Sequence, residues 1–383
     1  MGSYQFIKTR KRQLGKVKTL LNEKLQQVEW GEFKLGDLFE IGTGSLIDLK
    51  SAPNGKVPRV SVKTTDNGII GYFDESVDNA RYFENFISVN FFGISYYHPY
   101  RASVEMKVHT LKFKNKKFSN AEGSFISAMI NKRLEGLFSY GSQLSSSKLK
   151  NDNFKIQLPT KSGKIDFEFM ENFISEFENE RISLIESYLS ITGLKDYHLT
   201  FEEQMALTDY EKGEWKTFNL EALFGKATRG RRLKSSDRIS GTLPFVTAGE
   251  TDEGISAFIG NDVIEFPENT TTIDMFGSAK YRNYKYGGDD HIAVVHTQNL
   301  SKFASIFVTT AIHKTSYNGQ FNYGRNFYAK DADELNVSLP SINNKPNYAL
   351  METLISAIQK LVIKDVVLYA DRKIEATKSV VEK

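Results

Sequence analysis

Lysine and arginine clusters are the residues of this sequence whose types and spacing most directly suggest chemistry. The net charge of the 383-residue chain is only +3, but its lysines and arginines are unevenly distributed along the sequence. The two clusters, which contain a single acid at Asp237, are Lys8, Arg10, Lys11, Arg12, Lys16 and Lys18, and Lys226, Arg229, Arg231, Arg232, Lys234 and Arg238. Segregated cations favour an anionic partner. Either cluster alone is also compatible with an ordinary solvated basic face.

Residues for catalysis or metal binding do not form recognisable sets. The sequence has no cysteine, which excludes disulfides, thiolate zinc sites and cysteine nucleophiles. It contains no Gly-rich adenosylmethionine loop, no Walker A sequence and no convincing Asp…Glu-x-Lys nuclease set. Tyr97-His98-Pro99-Tyr100 comes nearest to the Asn/Asp-Pro-Pro-Tyr/Phe stretch that holds a flipped adenine, but it lacks the acid and the second proline. The sequence therefore predicts a non-catalytic chain.

The framework that must position the cations occurs twice. The pairs that recur at offsets between 181 and 187 residues include Glu29-Trp30 with Glu214-Trp215, His109-Thr110 with His296-Thr297, and Leu158-Pro159 with Leu339-Pro340. The repeated openings hold both tryptophans of the chain. A period this long far exceeds that of solenoid repeats. The sequence therefore predicts a tandem of two related modules.

Each copy of the repeat alternates short β-branched and aromatic runs with glycine, asparagine and aspartate, a pattern typical of strands. The predicted strands are 57–62, 86–92, 104–113, 243–247, 270–276 and 292–296. Short helices are predicted at 124–138 and 299–309. Gly93, Gly141, Gly277 and Gly324 are expected to allow positive φ or close backbone approach.

Helical periodicity takes over after each Leu-Pro pair. It predicts long helices at 167–190 and 347–378, and a short helix at 201–211. The second long helix, of about 30 residues, would extend roughly 45 Å. We expect the two long helices to pack on each other as an antiparallel coiled pair. The alternative is that each helix folds onto its own module.

Two unlike β-rich modules, each followed by a helix at the same offset, resemble the specificity subunits of type I restriction-modification enzymes. The resemblance covers residues 29 to 378. It rests on the Glu-Trp-x-x-Phe-x-Leu-x-x-Leu-Phe module opening, the exit strand from Lys148 to Pro159, and the spacer start Asp166-Phe-x-Phe-Met170-Glu. The last two marks look closest to the separate recognition subunits of type IIB enzymes.

The resemblance implies an α/β (α+β) fold. Two β-rich target-recognition domains would be related by a pseudo-twofold tandem repeat and separated by two long antiparallel spacer helices. The expected domains are a basic helical segment at 1–28, recognition domains at 29–160 and 213–341, and helical spacers at 161–212 and 342–383.

The implied function is non-catalytic recognition of a bipartite site in double-stranded DNA, one half per module. The chain would recruit DNA methyltransferase subunits, with a restriction subunit as a further partner. S-adenosylmethionine would be carried by the methyltransferase, and this chain would need no cofactor. No apolar run approaches the length of a membrane span, so a cytoplasmic protein is expected. The alternatives are an anti-restriction or regulatory decoy that binds the methyltransferase without productive DNA recognition, and a carbohydrate-binding or scaffolding protein.

The DNA-reading candidates lie where matched loops of the two modules differ. Lysine and arginine contacts to phosphates set position, whereas arginine, asparagine, glutamine, serine and threonine read base edges. The first-module candidates are Thr43, Ser45, Lys63, Thr64, Tyr96, Tyr97, Arg101, Gln143 and Lys148. The second-module candidates are Arg229, Arg231, Arg232, Lys234, Thr247, Lys280, Tyr281, Arg282, Lys285, Arg325 and Asn326. At least one of Arg231, Arg232 and Arg282 is expected to read a base.

The apolar stripes of the long helices are broader than one coiled-coil seam requires. The predicted methyltransferase-binding residues on these stripes are Phe173, Phe177, Leu184, Met351, Leu354, Ile358 and Leu361. Trp30 and Trp215 are expected to be core anchors, because aromatic side chains bury large areas. His109 and His296 are expected to be hydrogen-bonded residues in or near the core.

Overall fold

The computed structural model describes residues 20–151 and 154–381, with side chains up to residue 375. The predicted basic cluster at residues 8–18 lies outside these described residues. The chain divides into two compact units, Met1–Leu184 and Ile185–Lys383. No helix in the described ranges is both long and apolar enough to cross a membrane.

The first unit contains one module and most of the helix that follows it. Its elements are α1 (20–27), β1 (Glu29–Lys34), α2 (Leu35–Leu38), β2 (Phe39–Thr43), β3 (Asn54–Val60), β4 (Ile69–Phe73), β5 (Tyr82–Phe83), β6 (Phe86–Asn90), β7 (Ser95–His98), β8 (Ala102–Val104), β9 (Val108–Phe113), α3 (Asn120–Leu134), α4 (Ser146–Lys150), β10 (Lys155–Lys161), β11 (Lys164–Ile165) and α5 (Phe167–Thr192).

The strands of module one form three sheets in the orders β1-β10-β11, β2-β9-β6-β7 and β4-β3-β8-β5. All pairings in the second sheet are antiparallel. The end of β2, the start of β9, the end of β6 and the start of β7 therefore lie at the same end of this sheet, which we call the loop end. Helix α3 begins with a capping box at Ser119 and packs against β7.

The second unit repeats this plan. Its elements are α6 (Phe201–Asp209), β12 (Trp215–Asn219), α7 (Leu220–Phe224), β13 (Thr228–Arg229), β14 (Ser240–Val246), β15 (Ile255–Ile259), β16 (Glu265–Phe266), β17 (Thr270–Asp274), β18 (Ala279–Arg282), β19 (Tyr286–Gly288), β20 (Ile292–Val295), α8 (Lys302–Ser316), α9 (Ala329–Glu334), β21 (Asn336–Ile342), β22 (Lys345–Pro346) and α10 (Tyr348–Val381).

The sheet orders of module two match those of module one strand for strand. They are β12-β21-β22, β13-β20-β17-β18 and β15-β14-β19-β16, which are the orders of module one with every strand number raised by eleven. Helix α8 packs against β18 as α3 packs against β7. The predicted α/β class and the internal repeat are therefore confirmed.

The first turns of the long helices belong to the cores of their own modules. Met170 of α5 is buried in the main core of module one. In α10, Met351 and Leu354 are buried in the main core of module two, and Leu354 is only 4% exposed. This corrects the expectation that Met351 and Leu354 bind a partner, because their own module encloses both side chains.

Later turns of the two long helices meet inside the second unit. Leu189 of α5 is buried together with Val367 and Ala370 of α10. Lys195, which follows α5, pairs with Glu186 and Asp371. The two alternatives for the long helices therefore both apply, because their first turns pack on a module and their later turns pack on each other.

The interiors of the two modules each contain a buried aromatic ring that comes from a different strand in each module. Phe86 on β6 and Ala102 on β8 are buried in the same cluster of module one. At the matched places in module two, Thr270 of β17 bonds through Oγ1 to the hydroxyl of buried Tyr286 of β19, at 2.9 Å. Each interior thus holds one ring at this point, supplied by a different strand.

Several local expectations are wrong. The predicted strand 104–113 is divided between β8 and β9 by a turn in which Val108 N donates to Glu105 O at 3.0 Å. Trp215 is 36% exposed and is not a core anchor, whereas Trp30 is half-buried. Gly93 and Gly277 both have φ of 86° as expected, but Gly141 and Gly324 have neither positive φ nor a close backbone neighbour.

Candidate nucleic-acid interface

Four loops of each module meet at the loop end, which in module two is the corresponding end of the antiparallel sheet β13-β20-β17-β18. We name them the first loop (44–53 and 230–239), the second loop (61–68 and 247–254), the third loop (91–94 and 275–278) and the fourth loop (139–148 and 322–330). Leu144 N donates to Phe91 O at 2.9 Å, which ties the fourth loop of module one to the third. The Asn90 amide, beside the third loop, donates to Val62 O of the second loop at 3.2 Å. The structure therefore brings these loops together.

Each first loop begins at a glycine pressed against the neighbouring sheet. A Cβ on Gly44 would lie 2.2 Å from Val104 O, and one on Gly230 would lie 2.0 Å from Gly288 O. Real Cβ atoms do not approach other atoms below 3.0 Å. Only glycine therefore fits at the start of this loop in either module.

The first loop of module one is held by its framework. Arg81 donates from Nη1 to Thr43 O at 3.1 Å and from its backbone N to Ser45 Oγ at 2.9 Å. Ser45 O accepts a 2.7 Å hydrogen bond from Nη2 of Arg59. Burial lowers the pKa of the Arg59 guanidinium, whose Nε and Nη1 have no hydrogen-bond partner. Thr43 and Ser45 are both half-buried, and their bonds to Arg81 and Arg59 hold this loop in place.

The first loop of module two presents exposed cations. Arg229, Arg231, Arg232 and Lys234 are all exposed at this loop or on the strand that leads into it. Arg232 lies 3.9 Å from Asp290 Oδ1, whereas no ion pair involves the other three cations within the described residues. Exposed ion pairs contribute little, typically about 0–1 kcal/mol. All four cations are thus available to phosphates or base edges.

Different side chains hold the second loop in the two modules. In module one, the Tyr96 hydroxyl donates to Thr64 O at 2.6 Å. Lys63 pairs with Asp66, and this ammonium holds the pKa of the Asp66 carboxyl below its usual value. In module two, Lys280 Nζ donates to Glu250 Oε1 at 3.2 Å. Thr247 of module two is half-buried at the start of the loop.

Tyr97 and Tyr281 face the helices and not the loops. The Tyr97 hydroxyl accepts from the Asn85 amide at 3.0 Å, and the Tyr281 hydroxyl donates to Asn269 Oδ1 at 2.9 Å. A Cβ on Gly123 of α3 would lie 2.4 Å from the Tyr97 ring. Both tyrosines therefore pack their modules internally, which corrects the expectation that they contact DNA.

Arg282 is buried and hydrogen-bonded inside module two. Its side chain is 1% exposed, Nε donates to Thr272 Oγ1 at 2.9 Å, and Nη1 donates to the Tyr284 hydroxyl at 2.9 Å. The guanidinium carbon lies 5.9 Å from the centre of the Tyr286 ring. Arg282 cannot reach a base in this conformation, which corrects the expectation that it reads DNA.

His98 occupies the place of Arg282 in module one. Its Nε2 lies 2.8 Å from Ser88 Oγ and its Nδ1 lies 3.1 Å from the Tyr100 hydroxyl. Burial lowers the pKa of His98 to about 4, so the ring is neutral near pH 7. The same two hydroxyl positions are thus bridged by a neutral ring in one module and by a cation in the other.

Arg101 and Lys285 are exposed but lie apart from the four loops. Strands β7 and β18 start at the loop end, so the residues that follow these strands lie towards the opposite end of the sheet. Arg101 stacks over the Tyr82 ring at 4.8 Å and lies 3.6 Å from Glu75 Oε1. The structure therefore does not bring Arg101 and Lys285 together with the other candidates.

The fourth loop carries polar side chains in both modules. Lys148 Nζ donates to Gln143 O at 2.9 Å in module one. In module two, Arg325 Nη2 lies 2.9 Å from Asp331 Oδ1, and the Asn326 amide donates to the Tyr328 hydroxyl at 3.4 Å. Asn326 Oδ1 is buried without a hydrogen-bond partner. The four predicted residues therefore lie together at the loop end of their respective modules.

Tyr140 and Tyr323 at the tips of the fourth loops were not among the predicted DNA contacts. Both rings are strongly exposed at matched positions. Their signal in the sequence was the Tyr-Gly pair that recurs near the end of each module. Repetition alone did not distinguish a surface role from a turn.

The described ranges hold no group of three or more histidine, aspartate or glutamate residues able to bind a metal ion. His109 Nε2 lies 3.3 Å from Leu144 O, and His296 Nε2 lies 3.0 Å from Thr228 Oγ1. Burial lowers the pKa of both histidines. They are hydrogen-bonded residues in or near the core, as expected.

Comparisons with known proteins agree with this architecture. Residues 27–187 and 212–368 both match the family described as Type I restriction modification DNA specificity domain. A curated relative from Heyndrickxia coagulans, the Type II restriction enzyme BgcI specificity subunit S.BcgI, is 29% identical over 160 residues. The match covers 41% of this chain and 46% of the relative, so it spans about half of the relative's length.

A solved structure shares the fold. The crystal structure of a Type-I restriction-modification system S subunit from M. genitalium is 16% identical, with a TM-score of 0.60. The alignment covers 92% of this chain and 94% of the M. genitalium chain. At this identity the likeness concerns the fold alone.

Proposed function

The chain belongs to the family of type I restriction modification DNA specificity domains, and from this membership we propose that it is the DNA-recognition subunit of a restriction-modification system. It reads a bipartite site in double-stranded DNA, one half per module. The observation that carries the proposal is that one framework, built twice, presents unlike side chains on matched loops. The first loop is strongly cationic in module two and weakly charged in module one.

The exposed cations also weigh against the decoy alternative. A decoy that occupies a methyltransferase in place of DNA is expected to be acidic, whereas the first loop of module two presents Arg229, Arg231 and Lys234 without acidic partners among the described residues. Phosphate contacts from such residues position a protein on DNA, and arginine forks read guanine in the major groove. The residues we retain for DNA contact are Thr43, Ser45, Lys63, Thr64, Tyr96, Gln143, Lys148, Arg229, Arg231, Arg232, Lys234, Thr247, Lys280, Arg325 and Asn326.

DNA methyltransferase subunits are the proposed protein partners, with a restriction subunit as a further one. They would bind apolar side chains that the long helices leave exposed, among them Phe177, Ile358 and Leu361. Of the other predicted residues on α5, Leu184 is half-buried, and Phe173 is held internally by stacking on Phe169. S-adenosylmethionine would be carried by the methyltransferase, and this chain is non-catalytic.

Exchanging module two and its following helix for those of a relative tests the proposal. Sequencing of methylated sites should show that one half-site changes and the other is retained. A change in both halves, or in neither, would contradict one half-site per module.

A second experiment tests the non-catalytic role. The purified full-length chain, incubated with DNA and S-adenosylmethionine or with DNA and Mg²⁺, should neither methylate nor cut. Turnover of S-adenosylmethionine by the chain in isolation would remove the recognition-subunit proposal.

A further inference from the structure

Tyr140 and Tyr323 are the two most exposed large apolar side chains in the described part of the protein. They are 80% and 86% exposed, each at the tip of the fourth loop of its module. A large aromatic ring left in water does not contribute the stabilisation that its burial would give. Two such rings at matched positions therefore indicate a shared binding role.

The same local structure presents both rings. Reciprocal backbone hydrogen bonds close a tight turn between Ser139 and Ser142, at 3.2 and 3.1 Å, and another between Asn322 and Arg325, both at 3.0 Å. A tyrosine and a glycine form the two central residues of each turn. Each tyrosine ring is thus held at the tip of a closed turn and not on a loose loop.

A phenylalanine of the third loop supports each ring from one side. The ring centres of Tyr140 and Phe92 are 5.2 Å apart with an interplanar angle of 81°, and those of Tyr323 and Phe276 are 5.2 Å apart at 84°. Edge-to-face pairs of this kind hold an aromatic side chain in a defined orientation. The outer face of each tyrosine is left free to bind.

The surroundings of both rings favour a polyanion. No aspartate or glutamate occurs in residues 136–151 or 311–330. Lys148 lies on the fourth loop of module one, and Arg325, on the fourth loop of module two, pairs with Asp331, which directly follows this range. Lys107 lies over the Phe91 ring, at 5.5 Å, and Phe91 itself contacts Tyr140. Exposed aromatic rings among cations are typical of surfaces that bind nucleic acids.

The loops around these tyrosines differ between the modules, but the Tyr–Phe pair does not. A group that is the same in both modules cannot distinguish two different half-sites. We propose that Tyr140 and Tyr323 each make a sequence-independent aromatic contact with DNA, one in each half-site, by packing against a deoxyribose of the duplex backbone. This inference rests on the proposed function and adds a contact that binds without reading sequence.

The test measures how the full-length chain binds two DNA duplexes. One duplex carries the methylated site identified for the wild-type complex, and the other has the same composition with both half-sites scrambled. Tyr323→Ala should weaken binding to both duplexes by the same factor, about 2- to 12-fold, as expected for loss of one aromatic packing contact. The salt dependence should stay unchanged, because no cation is removed. Tyr323→Phe should bind like the wild type.

Matched control variants separate this site from aromatic exposure in general. Phe258→Ala and Tyr72→Ala remove exposed rings from matched edge strands β15 and β4 and should bind both duplexes normally. A thermal melt checks that Tyr323→Ala is folded, which its high exposure favours. Tyr140→Ala should repeat the result for module one.

Three outcomes would overturn the inference. Weaker binding to the target duplex alone would show that the tyrosine reads a base. Normal binding to both duplexes, with the wild type binding normally, would place the ring outside the DNA contact while leaving the proposed function intact. Failure of the wild-type chain to bind either duplex would overturn the proposed function and this inference together.

Discussion

Replacing Arg282 with alanine is expected to weaken the fold of module two and not to alter one base of its target. The change removes two hydrogen bonds of 2.9 Å, to Thr272 Oγ1 and to the Tyr284 hydroxyl, and leaves both groups without this partner. Hydrogen bonds to a charged group contribute about 1.5–3 kcal/mol each. We therefore expect the free energy of unfolding of module two to fall by about 3–6 kcal/mol.

Each module has its own tryptophan, so the unfolding of each can be followed separately. In a Trp30→Phe background, Trp215 fluorescence reports on module two during urea unfolding. With an m-value of about 2 kcal/mol per molar urea, the expected loss lowers the midpoint by about 2 M. Arg231→Ala is the matched control, because this exposed side chain should change stability by no more than about 0.5 kcal/mol.

One pattern of results would refute the reasoning about Arg282. It is an Arg282→Ala protein with an unchanged urea midpoint, whose complex with the methyltransferase modifies a motif relaxed at a single base. Arg282 would then return to the set of base-reading residues, and the buried conformation would not be the one that binds DNA.

Three further predictions concern DNA contact, assembly and pH. Arg231→Ala and Arg232→Ala should show whether each arginine contacts a base or a phosphate. Loss of a guanine contact costs about 1–3 kcal/mol of binding free energy and relaxes the specificity at one motif position. Loss of a phosphate contact weakens binding to all sequences and lowers the salt slope of binding by about one. Unchanged motif and slope in both variants would remove these arginines from the interface. Ile358→Asp combined with Leu361→Asp should abolish methyltransferase capture in a pull-down without lowering the urea midpoint, because both side chains are exposed; a folded variant that still captures its partner would contradict this. Burial lowers the pKa of His98 in the folded protein to about 4, below the value of about 6.5 for histidine in the unfolded chain. The contribution of neutral His98 to the free energy of unfolding is therefore complete above about pH 6.5. It is lost as the pH falls towards 4, by about 3 kcal/mol in total. Urea unfolding of module one should lose this pH slope in His98→Gln, and a slope equal to the wild type would contradict the assignment.

The framework could be predicted from the sequence because its signals are local and repeated. The helix predicted at 167–190 is α5 (Phe167–Thr192), since the helical period continues without interruption and Asp166 Oδ1 accepts from Phe169 N at 2.9 Å at its start. The division of 104–113 into β8 and β9 could not be predicted in this way. It depends on β8 pairing with β3 while β9 pairs with β2 and β6, which is information distant in the chain.

The candidate site was less predictable because loop composition does not determine burial. Arg229 and Arg282 are both arginines at the ends of short strands, yet the first is exposed and the second is enclosed. The difference comes from Thr272 and Tyr286, which lie on other strands and surround the guanidinium. Trp215 is partly exposed for a similar reason, because Tyr210 and Phe307 are the only aromatic rings that contact its ring among the described residues.

The buried ring that is Phe86 of β6 in module one and Tyr286 of β19 in module two limits recombination between the modules during evolution. A recombination event between β6 and β8 of the two modules would join Phe86 to Tyr286, which crowds two rings into space for one. The reciprocal hybrid would join Thr270 to Ala102 and leave a void. Overpacking typically costs about 1–3 kcal/mol, and a lost buried ring about 3–5 kcal/mol. Hybrids that are recombined inside a module are therefore expected to be less stable than their parents. New specificities should arise mainly by exchange of whole modules.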